Sequence, residues 1–233
     1  MTDPASILGP ADDNLILAQQ LSAWIASAPD LELDLALGNI ALDHLGVARA
    51  LLSHYGDIEG VGRSEDDLAM NRNEREFRNL LICEQPNGHF GQTIARHLLI
   101  DCYQVDLWEL LSADSDRVLA GVAQKAVLEA RYHWRHSSTW AERLGAGTEE
   151  SHRRMQAGLD AMARFVDEMF DEQPDLRPSF DRRLQPLLRE TGLELAPAPV
   201  PRRGGREGLH TENLGHLLAD MQWIARSYPA AKW

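Results

Sequence analysis

Between Asp116 and Leu144 the chain continues for about eight turns of helix without a proline. Its apolar and small residues recur at a single spacing. On a wheel of about 100° per residue, Leu119, Ala126, Ala130, His133, Ser137, Trp140 and Leu144 fall on one side. A stripe of that period and length is helical, and a helix this long is stable in water only when other helices cover its apolar face. Leu31 to about Tyr55 reads the same way, with Leu37, Ala41, Leu45, Ala48 and Leu52 on its stripe. Ile94, Leu98, Cys102, Val105 and Trp108 mark another helix after the turn Gln85-Pro86-Asn87-Gly88. These segments predict an all-α chain, a bundle of long helices.

The remaining elements are shorter. Asp12 and Asp13 precede Leu17, Leu21, Trp24 and Ile25, and are expected to cap a first helix. Ser64 is expected to cap a helix reaching Leu81, and Thr148 one reaching Phe170. Beyond Phe170 the composition changes. Pro174, Pro178 and Pro186 break long helices, and Ala196–Pro201 reads as extended. A loop holding Arg202, Arg203 and Arg206 leads to a last helix from about Thr211 to Ser227. The expected organisation is a helical bundle over residues 1–171. An irregular C-terminal arm with a terminal helix, residues 172–233, belongs to the same domain.

Composition narrows the function classes. A net charge of -13 argues against nucleic acid and anionic membranes as partners, while leaving a basic protein as a partner. Cys83 and Cys102 make neither a disulfide framework nor a zinc motif, which fits a cytoplasmic protein. No signal peptide is expected at the N-terminus, and no stretch is expected to approach the roughly 20 apolar residues of a membrane span. Glycine-rich phosphate loops, nucleophile elbows and Cys-x-x-Cys pairs are absent from the sequence.

Three inward polar residues stand out. His133 lies at the centre of its stripe with Glu129 at the edge, Asp101 shares the stripe of Leu98 and Cys102, and His44 flanks that of Ala41 and Ala48. Buried polar groups of this kind must meet one another or a metal. A carboxylate-bridged di-iron bundle needs Glu and His three apart on each of two helices, with further carboxylates from the others. Three residues before His133 stands Ala130, and the first helix offers only Ala18, Leu21, Ser22 and Ala23. Two readings stay open: an Asp–His pair without metal, or one weakly held ion. The Arg202–Arg206 loop could bind an anion or a subunit. Trp108, Trp134, Trp140, Trp223 and Trp233 are candidate interface anchors or core residues.

The runs Leu31–Gly46, Asn79–Gly88, Glu129–His133, Gly208–Gly215 and Asp220–Gln222 together carry a resemblance over nearly the whole chain. It resembles the non-catalytic structural subunits of bacterial phenylacetyl-CoA 1,2-epoxidases, the ring-epoxidising monooxygenases of phenylacetate degradation. The resemblance implies a ferritin-like fold and a related catalytic subunit that holds the di-iron centre. In that relative one helix carries Asp-Glu-x-x-His, and here the matching positions are Asp43, His44 and Val47. Another carries Glu-Glu-x-x-His, and here it reads Glu129, Ala130 and His133. Asp101 is expected at the place of a further ligand. So the resemblance implies degenerate ligand positions at His44, Val47, Asp101, Glu129, Ala130 and His133, with no metal in this chain. It also implies a cytoplasmic hetero-oligomer using dioxygen, with NADPH, flavin and iron–sulfur chemistry supplied by a reductase, and possible contact of Arg202, Arg203 and Arg206 with CoA. The rivals are an independent ferritin-like metal-dependent oxidase using His44, Asp101, Glu129 and His133, and a homodimeric helical protein that binds a regulatory partner.

Overall fold

A computed structural model describes residues 5–229, so Trp233 lies outside the described residues. Every regular element among them is helical, in agreement with the all-α expectation. The α-helices are α1 (Ala5–Ser22), α2 (Leu31–Glu59), α3 (Phe90–Leu111), α4 (Arg117–Gly145), α5 (Glu149–Met162), α6 (Arg177–Thr191) and α7 (Glu212–Ser227). They fall into two compact units, Met1–Gln85 with Gly204–Trp233, and Pro86–Arg203. The first is built on the pair α1–α2 and the second on the pair α3–α4. Paired long helices of this kind are consistent with a ferritin-like fold.

In the first unit, Asp30 caps α2, its Oδ1 accepting from the Leu33 amide at 2.8 Å. The helix ends at Gly60, whose φ of 72° is open to glycine. Leu37, Ala41, Ala48 and Leu52 are buried as expected, but Leu45 is exposed and His44 takes the inward position. By length and composition α2 could cross a membrane, contrary to the sequence reading, although its buried face packs on α1.

Two expectations fail in this unit. α1 begins before Asp12 and Asp13, which are buried inside it and do not cap it. The helix expected from Ser64 to Leu81 is a π-helical turn at Asp67–Asn71, a 3₁₀ turn at Glu74–Glu76 and irregular chain. The two failures share a cause. This segment supplies Arg72 and the amides of Arg78 and Leu80 to the two α1 carboxylates, so its backbone donors point at α1 and not along a helix.

In the second unit, the Asp116 carboxylate accepts from Val118 and Leu119 amides at 2.9 and 3.1 Å, and α4 starts and ends where its pattern predicts. Thr148 caps α5, which stops at Met162 and continues as 3₁₀ turns to Phe170. α3 is buried on nearly all sides because α4, α5 and α6 all pack on it. Pro186 does not break α6. The apolar face of Phe180, Leu184 and Leu188 stays buried, and Arg183 pairs with Asp106 of α3 at 2.7 Å.

Candidate functional site

The second unit gathers imidazoles and a carboxylate between α3 and α4. His97 and Asp101 are one turn apart on α3, both buried, with Nδ1 and Oδ1 3.5 Å apart. That is an ion-pair distance and longer than a well-formed hydrogen bond. His133 and His136 are three apart on α4, so they share a face. Burial pushes the His97 imidazole below its ordinary value. Asp101 pulls it up, while Arg96 and His133 add to the depression. His136 is lowered by burial too, against the pull of Asp101, and it senses His97 and His133. The four side chains therefore form one electrostatic cluster.

Glu129 stands at its rim. Its Oε1 pairs with the exposed Lys125 at 3.1 Å, and its Oε2 is enclosed without a hydrogen bond. Ala130, three residues before His133, is buried and presents only a methyl group where a ligand-bearing helix needs a carboxylate. His44 belongs to the first unit. Its Nδ1 lies 2.7 Å from Asn14 Oδ1, and Asn14 Nδ2 donates to the Pro10 carbonyl at 2.8 Å. An amide oxygen only accepts, so His44 Nδ1 carries the proton. Val47, one turn on, is buried and apolar.

The donors do not fit two iron ions. On α3 and α4 the enclosed carboxylate beside the imidazoles is Asp101, while Asp106 is held by Arg183 and Glu129 is shared with a lysine. The carboxylates of α1 are committed elsewhere. Asp12 takes the Arg72 guanidinium in a buried two-pronged pair and accepts from the Arg78 amide at 2.8 Å. Burial pushes the Asp12 carboxyl up, against the opposing pull of Arg72. Asp13 takes Arg206 at 2.9 and 2.7 Å and the Leu80 amide at 2.6 Å. With so little anionic charge, two ions of charge +2 or +3 would be poorly neutralised.

Of the arginines expected in the basic loop, Arg206 is mostly enclosed on Asp13. Arg203 pairs with Asp171, and the Arg202 amide donates to the Arg164 carbonyl at 2.7 Å.

Sequence reasoning missed His97 and His136. Both had a usable signal, since they lie four before Asp101 and three after His133. It also missed the buried set around Glu84. Glu84 accepts from Asn79 at 2.9 Å, from the Thr211 amide at 2.6 Å and hydroxyl at 2.7 Å, and pairs with His210 Nδ1 at 2.8 Å. His210 Nε2 lies 3.1 Å from the Phe77 carbonyl. Both partners of that ring are acceptors, so both nitrogens carry protons. Burial draws the His210 value down, but Glu84 and the Phe77 carbonyl outweigh it and hold it above the ordinary one.

The helical bundle defines an all-α protein of the ferritin-like class. The chain belongs to the phenylacetic acid catabolic protein family, whose profile matches residues 4–233. It is similar to the C subunit of the 1,2-phenylacetyl-CoA epoxidase of Escherichia coli (strain K12), at 42% identity over 237 residues, covering 95% of each chain.

Proposed function

We propose that this chain is a structural subunit of a multicomponent phenylacetyl-CoA 1,2-epoxidase, serving aerobic phenylacetate degradation in the cytoplasm. It stabilises a separate catalytic subunit that holds the di-iron centre. A reductase with flavin and iron–sulfur groups passes electrons from NADPH to that centre. The observation that carries this reading is the buried methyl of Ala130 in front of His133, matched on α2 by Val47 behind His44. Those two positions would have to supply a carboxylate and an imidazole to bind iron. The similarity to an epoxidase subunit of Escherichia coli supports the rest. Cytoplasmic residence agrees with two buried cysteines that are not joined in a disulfide. Burial pushes the Cys102 thiol up, which makes it a poor nucleophile.

The test is metal content and assembly together. The purified chain, expressed in metal-supplemented medium, is expected to hold no stoichiometric iron. Co-expressed with the catalytic subunit of the same complex, it is expected to co-purify and to raise that subunit's melting temperature. About two irons per isolated chain would defeat the proposal.

A second reading is an independent ferritin-like metal-dependent oxidase using His44, Asp101, Glu129 and His133, of which His44, Asp101 and His133 are buried. An independent metal-dependent oxidase would then show one tightly held ion per chain, and His133→Ala would remove it.

A further inference from the structure

Resting on the subunit reading, we infer that the outer face of α2 is the surface that docks the partner subunit. Leu31, Leu35 and Leu42 are 69%, 62% and 65% exposed, and Leu45 joins them at 37%. With Gly38 and Gly46 they lie within about 60° of one line along the helix. The line is about 21 Å long. Solvent-facing helix surfaces are ordinarily charged, yet no charged residue interrupts this line until Arg49, which is paired with Glu65 at 2.6 Å.

The two glycines point to a helix as the occupant. A glycine inside a helix is unfavourable relative to alanine. Within this chain nothing is gained by it, since a Cβ at Gly38 or Gly46 would meet no atom within 4 Å. Two bare positions eight residues apart let a second helix approach closely while the leucines pack on either side of it.

Charge decides which helix. Glu32 and Asp43 flank the line on one edge and Asp34 on the other, and the chain carries a net charge of -13. A second copy would set these carboxylates against their own images, and an anionic bilayer would repel them. The occupant that fits is a different chain presenting an apolar helix face edged with lysine or arginine, and the catalytic subunit of the complex is the partner assigned to it.

The experiment co-expresses the chain with that catalytic subunit, isolates one on a tag, and measures the other. Leu35→Glu with Leu42→Glu is expected to reduce co-purified partner at least about tenfold, the scale set by truncating a buried interface anchor. Gly46→Leu keeps the face apolar, favours the helix, and is expected to have the same effect. Leu128→Glu, at an exposed leucine of α4, is expected to have none. Melting of each variant alone confirms that it folds. If the wild-type chain does not bind the catalytic subunit, the subunit reading itself fails. If the wild type binds and both α2 variants bind equally well, that reading stands and this surface is wrong. A wild-type homodimer that Leu35→Glu with Leu42→Glu dissociates, or sedimentation with phosphatidylglycerol vesicles that the same variant abolishes, would also overturn the assignment.

Discussion

Arg72→Met tests whether the segment after α2 is held by its pair with α1. Arg72 and Asp12 are both buried, and the guanidinium bridges the two carboxylate oxygens. Arg72 also donates to the Glu76 carbonyl at 3.1 Å and sits 4.2 Å above the Phe77 ring. Methionine keeps much of the apolar stem but leaves the Asp12 charge enclosed with only the Arg78 amide. Removing one member of a buried pair costs about 3–5 kcal/mol. Asp12→Asn in the same chain removes the stranded charge and can still accept from that amide. The double variant is therefore expected to be more stable than Arg72→Met alone, with a coupling of about 2 kcal/mol. Urea unfolding followed by circular dichroism measures both, with hydrogen exchange of the α1 and α2 amides locating the loss. A cost under about 1 kcal/mol for Arg72→Met, the range of exposed pairs, would refute the argument. So would simple additivity of the two substitutions.

The two units are expected to answer pH in opposite senses. His97 and His136 are held below the ordinary value of 6.5, so the folded second unit resists the protons that the unfolded chain binds. Their stability is present above pH 6.5 and is lost as pH falls below it. His210 is held above 6.5, so its contribution is present below that value and fades as pH rises through the folded one. Histidine NMR titration checks the order, and a His210 midpoint under 6.5 would reverse it for the first unit. At the start of α4, Asp116→Ala removes the acceptor for two amides and is expected to cost about 1 kcal/mol in chemical unfolding, with a loss under a few tenths counting against the cap. In the turn before α2, Ala26 has a φ of 65°, and Ala26→Gly is expected to relieve the strain for a net gain of up to about 1 kcal/mol in the same assay.

What could be read from the sequence was local. Asp116, Thr148 and Asp30 cap their helices through atoms two or three residues away, so a short window contains the whole interaction. Asp12 and Asp13 present the same letters in the same kind of position. Their partners, Arg72 and Arg206, stand 60 and 193 residues further along, and pairing at that range decides that the carboxylates are buried in α1 and do not start it. The helix expected up to Leu81 was lost for the same reason, because its donors are used by those carboxylates. The wheel placed His133 correctly because α4 has one buried face. It passed over His97 because α3 is enclosed on nearly every side, and a wheel has no contrast to read on a helix without a wet face.

That contrast also explains why α2 was misjudged. A wheel assumes that apolar means inward, and α2 has leucines on two opposite faces. One face closes on α1 with Leu37, Ala41 and Ala48. The other carries Leu31, Leu35 and Leu42 into solvent. A single average over both faces puts Leu45 inside, leaves His44 at the edge of the stripe, and gives the helix the bulk hydropathy of a membrane span. In a chain that acts alone, the second face would be a liability for aggregation. On the docking surface we propose, it is one half of an interface, and the side of α2 that sequence patterning handled worst is the one that the co-purification experiment tests.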